Sequence, residues 1–196
     1  MGRSKEFDPD EVLDKAMHLF WEKGYEATSM KELEQGLGIN KFSIYNTFGN
    51  KHALFLATLK RYAAGAGQVL LDSLVAEDGI KSLHRFFDVL QGVLENQSVV
   101  NGCFLLNTSM ELCSADLEAR SVIQGFAHHH EDAFYAVLKN AQQRAELPGD
   151  MDLKEFSHFL LTVSRGMVAT AKIEQGTRMV KSNVQCIKAL LNSLKP

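Results

Sequence analysis

Between Thr28 and Lys51 the chain reads TSMKELEQGLGINKFSIYNTFGNK, a stretch whose polar side chains are of the types that engage nucleic acid. Lys41 can reach a base edge or a phosphate, Ser43 and Asn46 can hydrogen-bond base edges, and Tyr45 can offer its hydroxyl to a phosphate oxygen. Lys51 falls in the first turn of a following helix, where amides and the helix dipole already favour an anion, and Thr28 opens the preceding helix in the same way. Phosphate contacts would fix register and base contacts would select sequence.

These side chains need short helices to present them. Either Thr28 or Ser29 can cap the helix that carries Met30, Leu33 and Leu37, and Glu32, three residues after Ser29, completes a capping box with it. Asn40 caps the next helix, in which Ile44 and Phe48 point inward while Lys41, Phe42, Ser43, Tyr45, Asn46 and Thr47 occupy the other faces. Gly36 to Ile39 form the turn between the two helices, and Gly49 ends the second. Upstream, Asp8 and Pro9 start an amphipathic helix (Val12, Leu13, Ala16, Met17, Leu19, Phe20) that stops at Gly24, with Trp21 covering the edge of its core. Helix, tight turn and helix is the arrangement of a helix-turn-helix DNA reader. A plain three-helix bundle with capped turns shares this local pattern, so spacing alone leaves both open.

Downstream, Asn50 caps a helix whose apolar residues continue to about Val75, a rigid link out of the small module. Further helices are expected near 80–96, 102–114, 117–145, 152–174 and 177–194, with breaks at 96–101, at 147–150 and at Gly176. Nothing alternates with period two for long enough to be a strand, so the chain is expected to be all-α, with about nine helices.

The 196 residues, 45% of them hydrophobic, suffice for a substantial core. No apolar run approaches the ~20 residues that span a bilayer, and MGRSKEFDPDEV has no signal-peptide core, which points to a cytoplasmic protein without a membrane partner. Cys103, Cys113 and Cys186 form no CxxC pair, so neither a disulfide framework, a metal site nor a cofactor is expected. The net charge of −3 is unevenly spread: from Gly38 to Tyr62 the charged residues are Lys41, Lys51, Lys60 and Arg61, with no acid among them. Screening over ~8 Å lets such a local basic face attract phosphate on a mildly acidic protein. No GxSxG, P-loop, dinucleotide fingerprint or HExxH is present, so no catalytic residues are assigned.

The residues G-Y-x-x-T-S-M and L-G-I-N-K-x-S-I-Y-x-x-F-G-N-K-x-x-L-F resemble the N-terminal signature of the TetR/AcrR family of bacterial transcriptional regulators, with Tyr25, Thr28, Gly38, Tyr45, Phe48, Lys51 and Leu54 at the family's spacing. The resemblance implies an all-helical homodimer, usually a repressor, with a helix-turn-helix DNA-binding domain over 1–50 and a helical regulatory and dimerisation domain over 51–196. Its partners would be double-stranded operator DNA and a small-molecule or electrophile effector. Phe42 departs from the small residue common at its position and Asn46 replaces a frequent histidine; both bear on the operator sequence rather than on the fold.

The apolar stripes Phe156, Phe159, Leu160, Val163, Met167, Val168, Ala171 and Val180, Val184, Ile187, Leu190, Leu191, Leu194 suit either a four-helix dimer interface, as the resemblance implies, or the protomer's own core. NGCFLLNTSMELCSADLEAR resembles an electrophile-sensing subgroup, responsive to N-ethylmaleimide, with Cys103 and Cys113 at its two cysteine positions and Lys172 where a relative also has lysine. A thiol in a helix's first turn near an ammonium is a selective nucleophile. Ten residues at 100° each set Cys113 about 80° off the face of Cys103, so no disulfide is preset, and buried structural thiols are the alternative. His128, His129 and His130 run consecutively and cannot converge on one metal. His130 is a candidate for a ligand pocket together with Phe104, Met110, Phe126, Phe134 and Met167, with core packing as the competing role. The function expected is a DNA-binding regulator released by a small ligand or by reaction of a cysteine; an architectural or co-regulator protein without a ligand is the alternative.

Overall fold

The structure, a computed structural model, describes residues 7–65, 67–96, 101–112, 114–174 and 177–194; residues 97–100, Cys113 and Gly176 lie outside them. All regular structure among the described residues is helical. The chain divides into two compact units, one of residues up to Gly65 joined by Phe104–Ile123, the other of Ala66–Cys103 with the remainder from Gln124. This packing partition differs from the division at residue 50 inferred from the sequence, because a later segment folds back onto the first helices.

In the first unit, α1 (Pro9–Lys23), α2 (Met30–Leu37), α3 (Lys41–Phe48) and α4 (Lys51–Ala64) begin at caps legible in the sequence. Asp8 accepts the Asp10 amide at 2.9 Å, Asn40 that of Ser43 at 2.9 Å, and Asn50 that of Ala53 at 2.8 Å. Ser29 and Glu32 close the expected capping box, each accepting the other's amide, and each such cap stabilises by about 1 kcal/mol. Hydrogen bonds from Lys23 and from Ser29 hold the Glu32 carboxyl down at about 2. Phe20, Leu33, Ile44, Leu54, Phe55 and Leu59 are fully buried, each contributing about 1.5–3 kcal/mol. Phe20 meets Phe55 edge-on at 5.1 Å, and Trp21 meets Tyr62 edge-on at 5.1 Å, at the rim of this core. Arg61 ties α4 to α1 through Asp14 at 2.5 and 2.8 Å and Asp10 at 2.9 Å, and its guanidinium holds the Asp14 carboxyl below the usual range.

The helix expected to continue to Val75 stops at Gly65, whose amide bonds to the carbonyls of Arg61 and Tyr62. Gly65 and Gly67 flank a single alanine, and two glycines so close together remove about 1 kcal/mol each of helix propensity, enough to end the helix against its apolar periodicity. A single turn, α5 (Gln68–Leu71), and a 3-10 turn (Ala76–Asp78) follow.

The second unit is built on α6 (Ile80–Glu95), α9 (Leu153–Glu174), α10 (Arg178–Ser193) and α8 (Leu117–Gln143) from Gln124 onward. Its core takes Leu83, Phe86, Phe87 and Leu90 from α6, Phe134, Val137 and Leu138 from α8, Leu160 and Met167 from α9, and Val180, Val184, Ile187 and Leu191 from α10. Glu146 accepts the Ile80 amide at 2.9 Å and so caps α6 from outside it. Lys188 pairs with Asp88, and Lys181 lies 3.4 Å from Glu95, both joining α10 to α6. Between α6 and α8 lies α7 (Phe104–Leu112), which packs in the first unit.

Candidate nucleic-acid interface

The eight residues of α3 bury only Ile44. Lys41, Phe42, Tyr45, Asn46 and Gly49 are exposed, while Ser43, Thr47 and Phe48 are half-buried. Three of the sequence-derived candidates, Lys41, Tyr45 and Asn46, therefore share one open face of a helix short enough for a major groove. Lys41 Nζ lies 5.5 Å from the centroid of the Tyr45 ring, one turn along, which pre-orders both side chains. Ser43 is at the edge of this face.

Two features modify the sequence-based picture. The run from Gly38 to Tyr62 contains no acid, yet Glu34 of α2 accepts the Lys41 amide at 2.6 Å, so the first amide of α3 already has an anionic partner. Thr28 is fully buried, and its hydroxyl donates to the Gly24 carbonyl at 2.6 Å. It closes the α1–α2 connection from within and is not a surface group, which removes its side chain from the expected phosphate contacts.

Lys51 keeps its expected place in the first turn of α4, with Nζ 4.2 Å from the centroid of Tyr25. Burial raises the Tyr25 phenol above its ordinary pKa, so the ring under the ammonium stays neutral. Behind it, Glu111 of α7 accepts the amides of Tyr25 at 3.3 Å and Glu26 at 2.9 Å. Next to Lys51, His52 places Nε2 at 2.8 Å from Asp116 and Nδ1 at 3.4 Å from Glu118. Burial works to raise the Asp116 pKa, but the Ala119 amide and His52 outweigh it and hold the carboxyl low. Glu111 and Asp116 were absent from the sequence-derived candidates, since nothing local reveals a partner 64 to 86 residues away.

With this geometry established, the likeness to known proteins is decisive. Residues 12–58 match the bacterial regulatory proteins of the tetR family, and residues 79–187 match a tetracyclin repressor-like C-terminal domain. The chain belongs to the tetR family. It is 31% identical over 196 residues to an uncharacterized HTH-type transcriptional regulator, YezE of Bacillus subtilis, covering 98% of this chain and 100% of that one. It is also 31% identical over 176 residues to the HTH-type transcriptional repressor ComR of Escherichia coli, covering 87% and 82% of the two chains. The reduced form of E. coli NemR shares the fold, with a TM-score of 0.81 at 19% identity over 95% of this chain and 97% of that one. As a tetR-family protein, the chain is a DNA-binding transcriptional regulator and not an enzyme.

The residues nominated for the effector side of this tetR-family chain fall into separate surroundings. Phe104 is a core residue of the first unit, 6.0 Å from Phe55 and 5.8 Å from Tyr62. Met110 is 85% exposed, on a face of α7 turned to solvent. Phe134 is wholly buried against Phe86 at 4.8 Å, a core role. His130 and Phe126 do meet, with rings 4.3 Å apart and His130 Nδ1 donating to the Phe126 carbonyl at 3.1 Å. Burial pushes the His130 pKa down to about 4, with Arg165 and His129 adding to the effect. Met167 joins the second core and also lines an open groove of about 410 Å³ between α9 and α10. Lys172 is exposed in the last turn of α9. Cys103 is half-buried and immediately precedes α7, rather than lying in its first turn, because the helix starts at Phe104. Cys113 lies outside the described residues. Among the described residues, no three His, Cys, Asp or Glu side chains gather as a metal site, and no helix is long and apolar enough to cross a membrane.

Proposed function

We propose that this regulator is a cytoplasmic repressor that binds a palindromic operator as a homodimer and leaves it when its effector acts on the C-terminal part. The single observation carrying the DNA-binding half is the open face of α3, with Lys41, Tyr45 and Asn46 together and Lys51 beside it on α4. Ser43 completes the set, and functionally the reader ends near residue 50. Residues 51–196 supply regulation and pairing.

Pairing is supported by a second stripe on each of the last two helices. Besides its buried residues, α9 carries Phe159, Val163, Gly166 and Thr170 at successive turns, and α10 carries Asn183, Cys186 and Leu190. These line the open groove. Phe159 and Leu190 are 41% and 37% exposed, so each stripe serves the protomer's core on one side and leaves an apolar face on the other. A second copy related by a two-fold axis would cover it.

The effector is either a small ligand or an electrophile that reacts with a cysteine, and Cys103 is the candidate thiol. Conjugate addition of its sulfur to an activated double bond, as in a quinone, forms an S–C bond while the π pair shifts to the carbonyl oxygen, and the adduct takes up the proton that the thiol released. A gel-shift with DNA flanking the gene, run with and without a quinone, tests both halves. Retarded DNA that is released by quinone in wild type but not in Cys103→Ser supports the whole reading, with Cys186→Ser as the thiol control. Release that survives in Cys103→Ser but is lost in Cys113→Ser moves the reacting thiol to Cys113, and release that survives both substitutions together leaves a non-covalent ligand. Binding that ignores small molecules and oxidants alike favours an architectural or co-regulator protein, and no retardation overturns the DNA-binding reading.

A further inference from the structure

Phe42 is 73% exposed on the second residue of α3, an orientation that contributes almost nothing to the core. Taking Lys41 as origin at 100° per residue, Tyr45 lies at about 40°, Gly49 at about 80°, Phe42 at about 100° and Asn46 at about 140°. The buried Ile44 is at about 300° and Phe48 at about 340° on the same scale. Phe42 thus occupies the middle of the open arc, between Tyr45 and Asn46, where a groove floor would face the helix. A phenyl ring at the rim could be incidental; one at the centre must meet base edges whenever the helix is docked.

Because a phenyl ring neither donates nor accepts a conventional hydrogen bond, the edge it meets matters. In the major groove adenine, guanine and cytosine present donors and acceptors, which the ring would strip of water without replacement. Thymine alone presents an apolar group, its C5-methyl. Wedging between stacked bases is a minor-groove device and does not apply to a helix in the major groove. We propose that Phe42 is a sequence-reading residue that packs on a thymine methyl in each half-site, selecting thymine at one position and rejecting bases whose polar edge it would leave unsatisfied.

This inference rests on the DNA-reading role of α3, and the test separates the two. Full-length wild type and Phe42→Ala would each select duplexes from a randomised pool, and the wild-type duplex would then be rescanned with deoxyuridine replacing each thymine. The scan removes one methyl at a time and leaves the hydrogen-bonding edge intact. The expected result is one position per half-site where deoxyuridine weakens wild-type binding about four-fold, and about fifteen-fold when both half-sites are changed, the worth of one and two buried methyl groups. Phe42→Ala should lose the thymine requirement at that position and show no deoxyuridine effect there, while melting at the wild-type temperature. Equal deoxyuridine profiles for the two proteins would overturn the inference, as would a Phe42→Ala loss of the same size on unrelated duplexes, which would make the ring a general contact. If no duplex is enriched by wild type, the DNA-reading role itself fails.

Discussion

The ammonium of Lys51 rests 4.2 Å from the centroid of the Tyr25 ring, so the first turn of α4 is held against the start of the α1–α2 connection by a cation and a neutral aromatic face. A phosphate arriving at Lys51 meets a charge already fixed in direction.

Lys51→Ala is expected to weaken binding to every duplex and to reduce the slope of log K against log salt by about 0.9 per half-site, one phosphate contact each. Tyr25→Leu keeps the charge and the apolar packing, so it should lose affinity by only about 0.5–1 kcal/mol per half-site at an unchanged slope. Salt titrations of both variants distinguish them. An unaltered slope for Lys51→Ala would remove it from the phosphate contacts.

Gly24 and Glu111 form a second coupled pair. Gly24 has φ +86° and ψ 168°, a region essentially confined to glycine, and a Cβ there would stand 2.8 Å from the Glu111 carboxylate. Alanine would drive the carboxylate off the Tyr25 and Glu26 amides as well as strain the backbone. Glu111→Ala alone should cost about 1 kcal/mol in urea unfolding and Gly24→Ala about 1–3 kcal/mol, with the double variant less destabilised than the sum by at least about 0.5 kcal/mol. Strict additivity would show that the two do not communicate.

His130 makes stability depend on pH. Burial lowers its folded pKa to about 4, below an unfolded value of about 6.5, so the unfolded chain binds the extra proton in between. Stability is therefore full above about pH 6.5 and falls as the pH drops toward about 4, with about 2 kcal/mol lost between pH 7 and pH 5. Urea unfolding of wild type and His130→Leu at the two pH values should show this component only in wild type. Equal pH dependence would place the ring in contact with water.

Phe159→Glu or Leu190→Glu places a carboxylate on the α9–α10 face where a second copy is proposed to seat, and a melting temperature kept at the wild-type value would show that the protomer's core is intact. Sedimentation should shift from dimer to monomer, with operator affinity falling far more than affinity for unrelated DNA, because each reader then holds only one half-site. A variant that remains dimeric would move the interface elsewhere.

Contacts between near neighbours could be read directly from the order of the amino acids. The caps at Asp8, Ser29, Asn40 and Asn50, the capping box to Glu32 and the stop at Gly24 all involve partners within four residues, and each was legible. The 3.6-residue periodicity likewise marked out α6, α8, α9 and α10 to within about two residues, because each buries one continuous stripe. Most of the remaining contacts join residues far apart in the chain. Tertiary structure closed Thr28 inward onto Gly24, set Glu34 on the first amide of α3, and brought Glu111 and Asp116 from after residue 100 to Tyr25, Glu26 and His52. It also sent Phe104 into the first unit's core and Met110 into solvent, although both sit on one short apolar helix. A hydrophobic pattern says that a face will be covered without saying by what. A carboxylate that caps a distant amide leaves no periodic trace at all, so such contacts exist only once the chain has been brought back upon itself.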